Sequence, residues 1–144
     1  MIEQRLKTVI LVALWIALGE DTLLFLMAWF APELWFTVFH HSAPVGLEVA
    51  LLRRSAGQWL AFAVAQAITL RFWRTKPVWL AITAGVRFSD LFTDTSYILA
   101  VPSLSRLGWI CLLPPPVLNL IVIGLLMLGY RELVVGRGGA RELS

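Results

Sequence analysis

The chain has 144 residues, of which 59% are hydrophobic and only 15% are charged, and its formal net charge is +3. Soluble domains carry about 25% charged residues, so this composition argues against a soluble domain with its own core. The basic residues stand at the ends of apolar runs, which is typical of membrane topology signals and not of a nucleic-acid surface. A single cysteine, Cys111, excludes an intramolecular disulfide. The predicted surroundings are therefore a lipid bilayer, and no nucleic-acid partner is expected.

The first apolar run extends from about residue 8 to residue 29 and follows Arg5 and Lys7. It exceeds the ~7–15-residue apolar region of a signal peptide, so we interpret it as a retained membrane anchor. At ~1.5 Å per residue it is long enough to cross a hydrocarbon core of about 30 Å. Pro32 and Glu33 then predict the start of another helix, because proline suits the first helical position and an acid suits the positive end of the helix dipole.

Three further spans are predicted, at residues 51–70, 78–99 and 107–130. The run Pro114-Pro115-Pro116 removes backbone donors from the last of them and is expected to kink or break it. The predicted fold is an all-α polytopic membrane four-helix bundle over residues 1–130, with a short interfacial helix between spans 1 and 2. A polar, mobile cytoplasmic tail is expected over residues 131–144.

Lys and Arg are unequally distributed between the two sides of these spans. Eight lie on the side of the N-terminus, three lie on the opposite side, and Arg87 lies within a span. Cytoplasmic loops carry the excess of basic residues. The sequence therefore predicts a protein of the plasma (inner) membrane with both termini in the cytoplasm.

Eight polar side chains are predicted to lie at similar depths in the outer half of the bundle. They come from three of the spans: Glu20, Asp21, Arg53, Arg54, Gln58, Arg87, Asp90 and Asp94. The last three share one face of the third span, because they are three and four residues apart. A charge in the middle of a bilayer costs ~2.5–3.5 kcal/mol on insertion scales. We therefore expect these side chains to point into the bundle, where four acids and three arginines neutralise one another.

Three interpretations of this charged cluster remain open. It is a structural ion-pair network that holds the helices in register, an outward-open pocket for a small molecule, ion or lipid headgroup, or part of a proton or substrate path. The near balance of charges favours the first, because a proton relay would more naturally leave one acid unpaired. Gln66 and Asn119 are predicted to form hydrogen bonds between helices.

The predicted interfacial helix covers residues 34–41 and ends on His40 and His41. Neighbouring residues of a helix point about 100° apart, so the two imidazoles are poorly placed to bind one ion. We interpret them as interfacial histidines without a ligand, and binding of a metal or a porphyrin-type pigment is the alternative. No particular cofactor is predicted.

The four short spans, the arginine-rich start of the second span followed by Gly57, and the segment Arg87-Phe-Ser-Asp90 resemble the DoxX-like group of small four-helix membrane proteins. The resemblance covers about residues 5–130. It implies a compact four-helix bundle with a polar outer pocket, membrane-associated redox or accessory roles, and Arg54, Arg87 and Asp90 as candidate pocket residues. The triple proline and the two histidines depart from that group.

Two functions are compatible with these features. The first is a non-catalytic accessory or structural subunit of a larger membrane protein complex, which small-residue helix faces, many aromatic side chains and a short charged tail favour. The second is a stand-alone DoxX-like membrane protein that binds a small molecule or serves a redox-accessory role through an outward-facing charged pocket. The sequence contains no phosphate-binding loop, dinucleotide fingerprint, zinc-ligand spacing or nucleophile elbow. An enzyme is therefore the less favoured class.

Overall fold

The computed structural model describes residues 3–101 and 103–141, with side chains as far as residue 135. Within these residues the regular structure is entirely helical, as the sequence predicts, and no strand occurs. The helices are α1 (Gln4–Phe30), α2 (Pro32–His40), α3 (Gly46–Phe72), α4 (Val78–Ala100), α5 (Arg106–Leu112) and α6 (Pro114–Arg141).

The short helix α2 begins where the sequence predicts it. Pro32 occupies its first position and Glu33 lies in its first turn. The helix ends at His40, and the next residue, His41, has a left-handed φ of 53° that stops the helix from continuing. At the start of α3, the Glu48 carboxylate accepts a hydrogen bond of 2.9 Å from the backbone N–H of Val45, which satisfies one of the free donors of that helix end.

The proline run separates α5 from α6, so the predicted break in the last span is confirmed. Leu113 lies between the two helices, and Pro114, Pro115 and Pro116 form the first turn of α6. Prolines are tolerated there because the first N–H groups of a helix have no intrahelical partner.

Residues 131–141 of the predicted cytoplasmic tail continue α6, which ends at Arg141. The mobility of the tail stays a prediction. Extension of an existing helix needs no new nucleation, so even a glycine-containing segment can follow a long helix. Residues 142–144 of the predicted tail lie outside the described residues.

The four long helices contact each other in a ring. α1 packs along α3, α4 packs along α6, and further contacts join α3 to α4 and α1 to α6. Helices that are adjacent in this ring run antiparallel, as α1 and α3 illustrate. Asp21 of α1 contacts Gln66 of α3, whereas Ala28, later in α1, packs near Ala56, earlier in α3.

The interior contains two hydrophobic clusters with a polar layer between them. The first cluster lies near the start of α1: Ile10, Leu14, Trp73, Leu80, Ala84 and Leu126. The second lies at the opposite end, beneath α2: Ala28, Trp35, Phe39, Leu52 and Ala56. The helices therefore meet through apolar packing at both ends and through polar side chains in the middle.

The outer surfaces of α1 and α6 are strongly apolar. Two segments, Gln4–Phe30 and Arg106–Val135, are long and apolar enough to cross a membrane. α3 and α4 do not reach the same combination of length, mean hydropathy and low charge. Only 22% and 11% of the most apolar windows of Gln4–Phe30 and Arg106–Val135, respectively, are buried within the protein. The core helix of a soluble protein would bury most of such a window, so these faces are compatible with a lipid environment.

Candidate functional site

Arg87 of α4 lies at the centre of the polar layer and is almost completely buried, with 1% of its surface exposed. One terminal nitrogen, Nη2, donates to Asp21 Oδ2 of α1. The other, Nη1, donates to Asp90 Oδ2 at 3.1 Å and to Asn119 Oδ1 of α6 at 3.3 Å. The guanidinium carbon lies 5.9 Å from the ring centroid of Phe62 in α3. One side chain thus contacts all four long helices.

Asp21 and Gln66 join α1 to α3 within the same layer. Gln66 Nε2 donates to Asp21 Oδ2 at 2.6 Å, and neither side chain is exposed. Three buried atoms have no hydrogen-bond partner among the described residues: Asp21 Oδ1, Gln66 Oε1 and Arg87 Nε. An unmade hydrogen bond of a buried group costs about 1–3 kcal/mol. The layer is therefore not fully satisfied by its own side chains.

Asn119 connects α6 to the acids of α4. Its Nδ2 donates to Asp90 Oδ2 at 3.2 Å and, more weakly, to Asp94 Oδ2 at 3.4 Å. Asp94 and Glu20 are half-buried, whereas Asp90 is buried. Glu20 lies within electrostatic range of Arg87 and Asp90. The two half-buried carboxylates therefore mark the edge of the layer.

The structure brings five of the eight predicted site residues together and leaves three outside. The polar layer contains Glu20, Asp21, Arg87, Asp90 and Asp94. Arg53, Arg54 and Gln58 are exposed on α3, and none forms a hydrogen bond or ion pair with the layer in the described part of the chain. The predicted neutralisation by three arginines is wrong: among the described residues the layer has four acids and one arginine, which forms ion pairs with Asp21 and Asp90.

The physical reason is the register between α1 and α3. Gln66, and not Gln58, lies level with Asp21. Arg54 precedes Gln66 by twelve residues, which places it about 18 Å further along the helix axis at ~1.5 Å per residue. The arginines therefore lie beside the end of the bundle that α2 covers.

The amides of Gln66 and Asn119 complete the layer, and the prediction that they bond between helices is confirmed. Sequence reasoning did not assign them to the charged cluster, although a buried amide within an apolar span is the available signal. It also missed the pair formed by Thr69 of α3 and Thr83 of α4, whose hydroxyl oxygens are 2.6 Å apart. Thr83 lies one turn before Arg87 on the same face of α4.

His40 is held by the protein at both ring nitrogens. Its Nδ1 lies 3.2 Å from the backbone carbonyl oxygen of Ser103, and its Nε2 lies 2.5 Å from the Tyr97 hydroxyl. These contacts occupy both positions that a metal or pigment would need, whereas His41 is exposed. In the described part of the chain, no three or more His, Cys, Asp or Glu side chains form a group that could hold a metal ion.

Ser105 connects α2 to α5 near this histidine. Its hydroxyl donates to the Val38 carbonyl at 2.7 Å and accepts from the Gly108 N–H at 2.8 Å, and its own N–H donates to the Phe39 carbonyl at 2.7 Å. Gly108 lies so close that a Cβ there would be 2.7 Å from the Phe39 oxygen. This end of the bundle is thus closed by a tight backbone contact.

Comparison with known proteins finds no match for this chain among models of protein families, curated proteins or solved structures. The DoxX-like resemblance therefore stays a prediction from the sequence. Of the three residues on which it places a pocket, Arg87 and Asp90 form an ion pair in the polar layer, and Arg54 is exposed outside it.

Proposed function

We propose that the chain is an integral protein of the plasma (inner) membrane, with α1, α3, α4 and the α5–α6 segment as its four spans and both termini in the cytoplasm. The observation that carries this proposal is the inverted polarity at mid-bundle, where Asp21, Gln66, Arg87, Asp90 and Asn119 are buried while many large apolar side chains of the same helices are exposed. α1 and α3 have 27 residues each and α4 has 23. At ~1.5 Å per residue, all three exceed the ~30 Å hydrocarbon core of a bilayer.

Within the membrane, the chain acts as a non-catalytic accessory subunit of a larger protein complex. The outward face of α3 supports this role. Arg54, Gly57 and Ala61 are exposed and recur at helical spacing on that face. Small residues let helices approach closely in lipid, where no hydrophobic effect drives them together. An exposed arginine next to them is favourable when a carboxylate of another subunit pairs with it.

In this proposal the polar layer serves the fold of the subunit itself. Arg87 joins α1, α4 and α6, and Gln66 joins α1 to α3. Buried polar contacts of this kind fix the register of helices whose apolar faces alone would allow sliding. The outward face of α3 is thereby presented in one defined orientation.

One observation favours a second candidate function, which is the stand-alone, DoxX-like protein that binds a small molecule or serves a redox-accessory role. The acids of the polar layer outnumber its arginine, and Glu20 and Asp94 are half-buried at its edge. Such an edge offers carboxylates to a ligand, and charge-assisted hydrogen bonds are roughly twice as strong as neutral ones.

Glycine-to-leucine exchanges separate the two candidates. A Cβ at Gly57 meets no atom within 4 Å, so Gly57→Leu fills the outward face of α3 without disturbing the bundle. Gly124 of α6 is equally exposed and equally free of neighbours, which makes Gly124→Leu the matched control. The molar mass and composition of the particle are measured by light scattering and mass spectrometry after extraction in mild detergent.

If the chain is an accessory subunit, the wild type and Gly124→Leu are expected to elute with a partner in fixed stoichiometry. Gly57→Leu is expected to elute without the partner, as the single chain. Glu20→Gln should leave the assembly unchanged. A wild-type chain that is monodisperse without any other protein would contradict the subunit function. A ligand that copurifies with this monomer and is lost in Glu20→Gln would instead support the binding function.

A further inference from the structure

The carboxylates of the polar layer accept different numbers of hydrogen bonds. Asp21 accepts from Arg87 and Gln66. Asp90 accepts from Arg87 at 3.1 Å and from Asn119 at 3.2 Å. In the described part of the chain, Asp94 accepts a single side-chain bond, the long 3.4 Å bond from the same Asn119 nitrogen. Among the described residues, Arg87 forms ion pairs with Asp21 and Asp90 and with no other acid.

Asp94 is surrounded mainly by negative charge. The charged groups that act on it come from its own helix and from α1: Asp90, Glu20, Arg87 and Asp21. Of the other two long helices, α6 contributes the amide of Asn119, which does not titrate, and the amide of Gln66 in α3 bonds to Asp21 instead. Because one amide nitrogen bonds to both Asp90 and Asp94, these two carboxylates are close neighbours. Two carboxylates that share a site away from water are not both ionised at little cost.

The layer also has more unpaired buried acceptors than unpaired buried donors among the described residues. Asp21 Oδ1 and Gln66 Oε1 are buried acceptors without a donor, whereas Arg87 Nε is the single buried donor without an acceptor among the described residues. This shortage is independent of the charge count. The unpaired acceptors belong to Asp21 and Gln66, so they show that the layer as a whole is short of donors. The shared Asn119 nitrogen places the excess negative charge at Asp90 and Asp94.

We propose that the polar layer holds a dissociable proton at neutral pH and that Asp94 is the carboxyl group that carries it. Protonation removes one negative charge next to Asp90 and gives Asp94 an O–H donor, while its other oxygen can still accept from Asn119 Nδ2. Asp94 is half-buried at the edge of the layer, so its proton can exchange with molecules outside the helix bundle. Asp21 and Asp90 stay paired with Arg87 during this exchange. The ligand of this site is thus a proton, bound and released without any covalent step.

Infrared spectroscopy of the full chain in detergent at neutral pH tests this proposal, because protonated and ionised carboxyl groups absorb at separate frequencies. The wild-type spectrum minus the Asp94→Asn spectrum is expected to contain a protonated carboxyl band with the intensity of one group. Glu33→Gln is the control, since Glu33 is exposed at the start of α2. Its difference spectrum should contain only carboxylate bands.

Raising the pH should remove the wild-type band in a single-proton titration and leave Asp94→Asn without a corresponding change. Should Asp94→Asn fail to fold, as judged by circular dichroism, Asp94→Glu retains a carboxyl group and is expected to shift the frequency of the band without abolishing it. A wild-type spectrum without a protonated carboxyl band overturns the proposal. A protonated carboxyl band that stays unchanged in Asp94→Asn or in Asp94→Glu also overturns the proposal. The measurement uses the isolated chain, so its outcome does not depend on the accessory-subunit function.

Discussion

Replacement of Arg87 by leucine tests the polar layer most directly. The change puts a shorter, apolar side chain in α4 and removes the cation that pairs with Asp21 and Asp90. It also removes the bond from Nη1 to Asn119. Loss of one partner from a buried ion pair costs about 3–5 kcal/mol, because the other charge stays buried. We expect Arg87→Leu to fall in this range or above it, since two carboxylates lose their partner.

Thermal unfolding in mild detergent, followed by circular dichroism, is the assay. Taking ~3 °C per kcal/mol for a chain of this size, the unfolding midpoint should fall by about 10 °C or more. Arg53→Leu is the matched control, because Arg53 is exposed on α3 outside the layer and is not part of the proposed partner-binding face. A surface change of this kind usually alters stability by less than about 0.5 kcal/mol, so its midpoint should stay near that of the wild type.

A second substitution then separates loss of charge pairing from loss of packing. Asp21 is fully buried, whereas Asp90 retains 6% exposure. Adding Asp21→Asn to Arg87→Leu should therefore restore more stability than adding Asp90→Asn, because replacing both members of a buried pair by uncharged groups can be nearly neutral. If Arg87→Leu unfolds at the wild-type temperature, or if neither asparagine restores stability, the pairing argument is refuted.

Two further predictions concern topology and packing. A reporter fused after the last residue should be active in the cytoplasm and one inserted at Ser42 should be active outside, and activity on the opposite side at either position would refute the proposed orientation. Gly108→Ala should lower the free energy of unfolding by about 1–3 kcal/mol, because its Cβ would lie 2.7 Å from the backbone oxygen of Phe39. Gly124→Ala, at an exposed helical position without neighbours, should be neutral or slightly stabilising, and equal effects of the two changes in thermal unfolding would contradict the close contact.

The helices themselves were predictable because their signals are local. These signals are the long apolar runs, the Pro32-Glu33 start and the proline run that opens α6. The structure has a helix boundary at Pro32 and another at Pro114. The face of α4 that bears Arg87 and Asp90 was predictable for the same reason. The spacing of 3.6 residues per turn determines which side chains of one helix lie together.

The register between helices was not predictable in this way. Counting residues from the ends of the apolar runs placed Gln58 near the acids of α1, but Gln66 lies there instead. The difference is eight residues, or about 12 Å along the helix at ~1.5 Å per residue. That offset depends on how particular surfaces fit, such as Ala28 against Ala56, and hydropathy carries no information about it.

The order of the helices along the chain has a consequence for biosynthesis in a membrane. If α1 is the first membrane span, as we propose, Asp21 enters the bilayer before its partners are synthesised: Gln66 comes 45 residues and Arg87 66 residues further along the chain. A chain inserted from its N-terminus therefore holds Asp21 without a cationic partner until Arg87 of α4 has been synthesised. The hairpin of α1 and α3 offers only an amide to this acid, so α1 gains its cation when α4 arrives. Truncation before α4 should consequently yield an α1–α3 fragment that is retained by the insertion machinery and degraded, whereas the same fragment with Asp21→Asn should persist in the membrane.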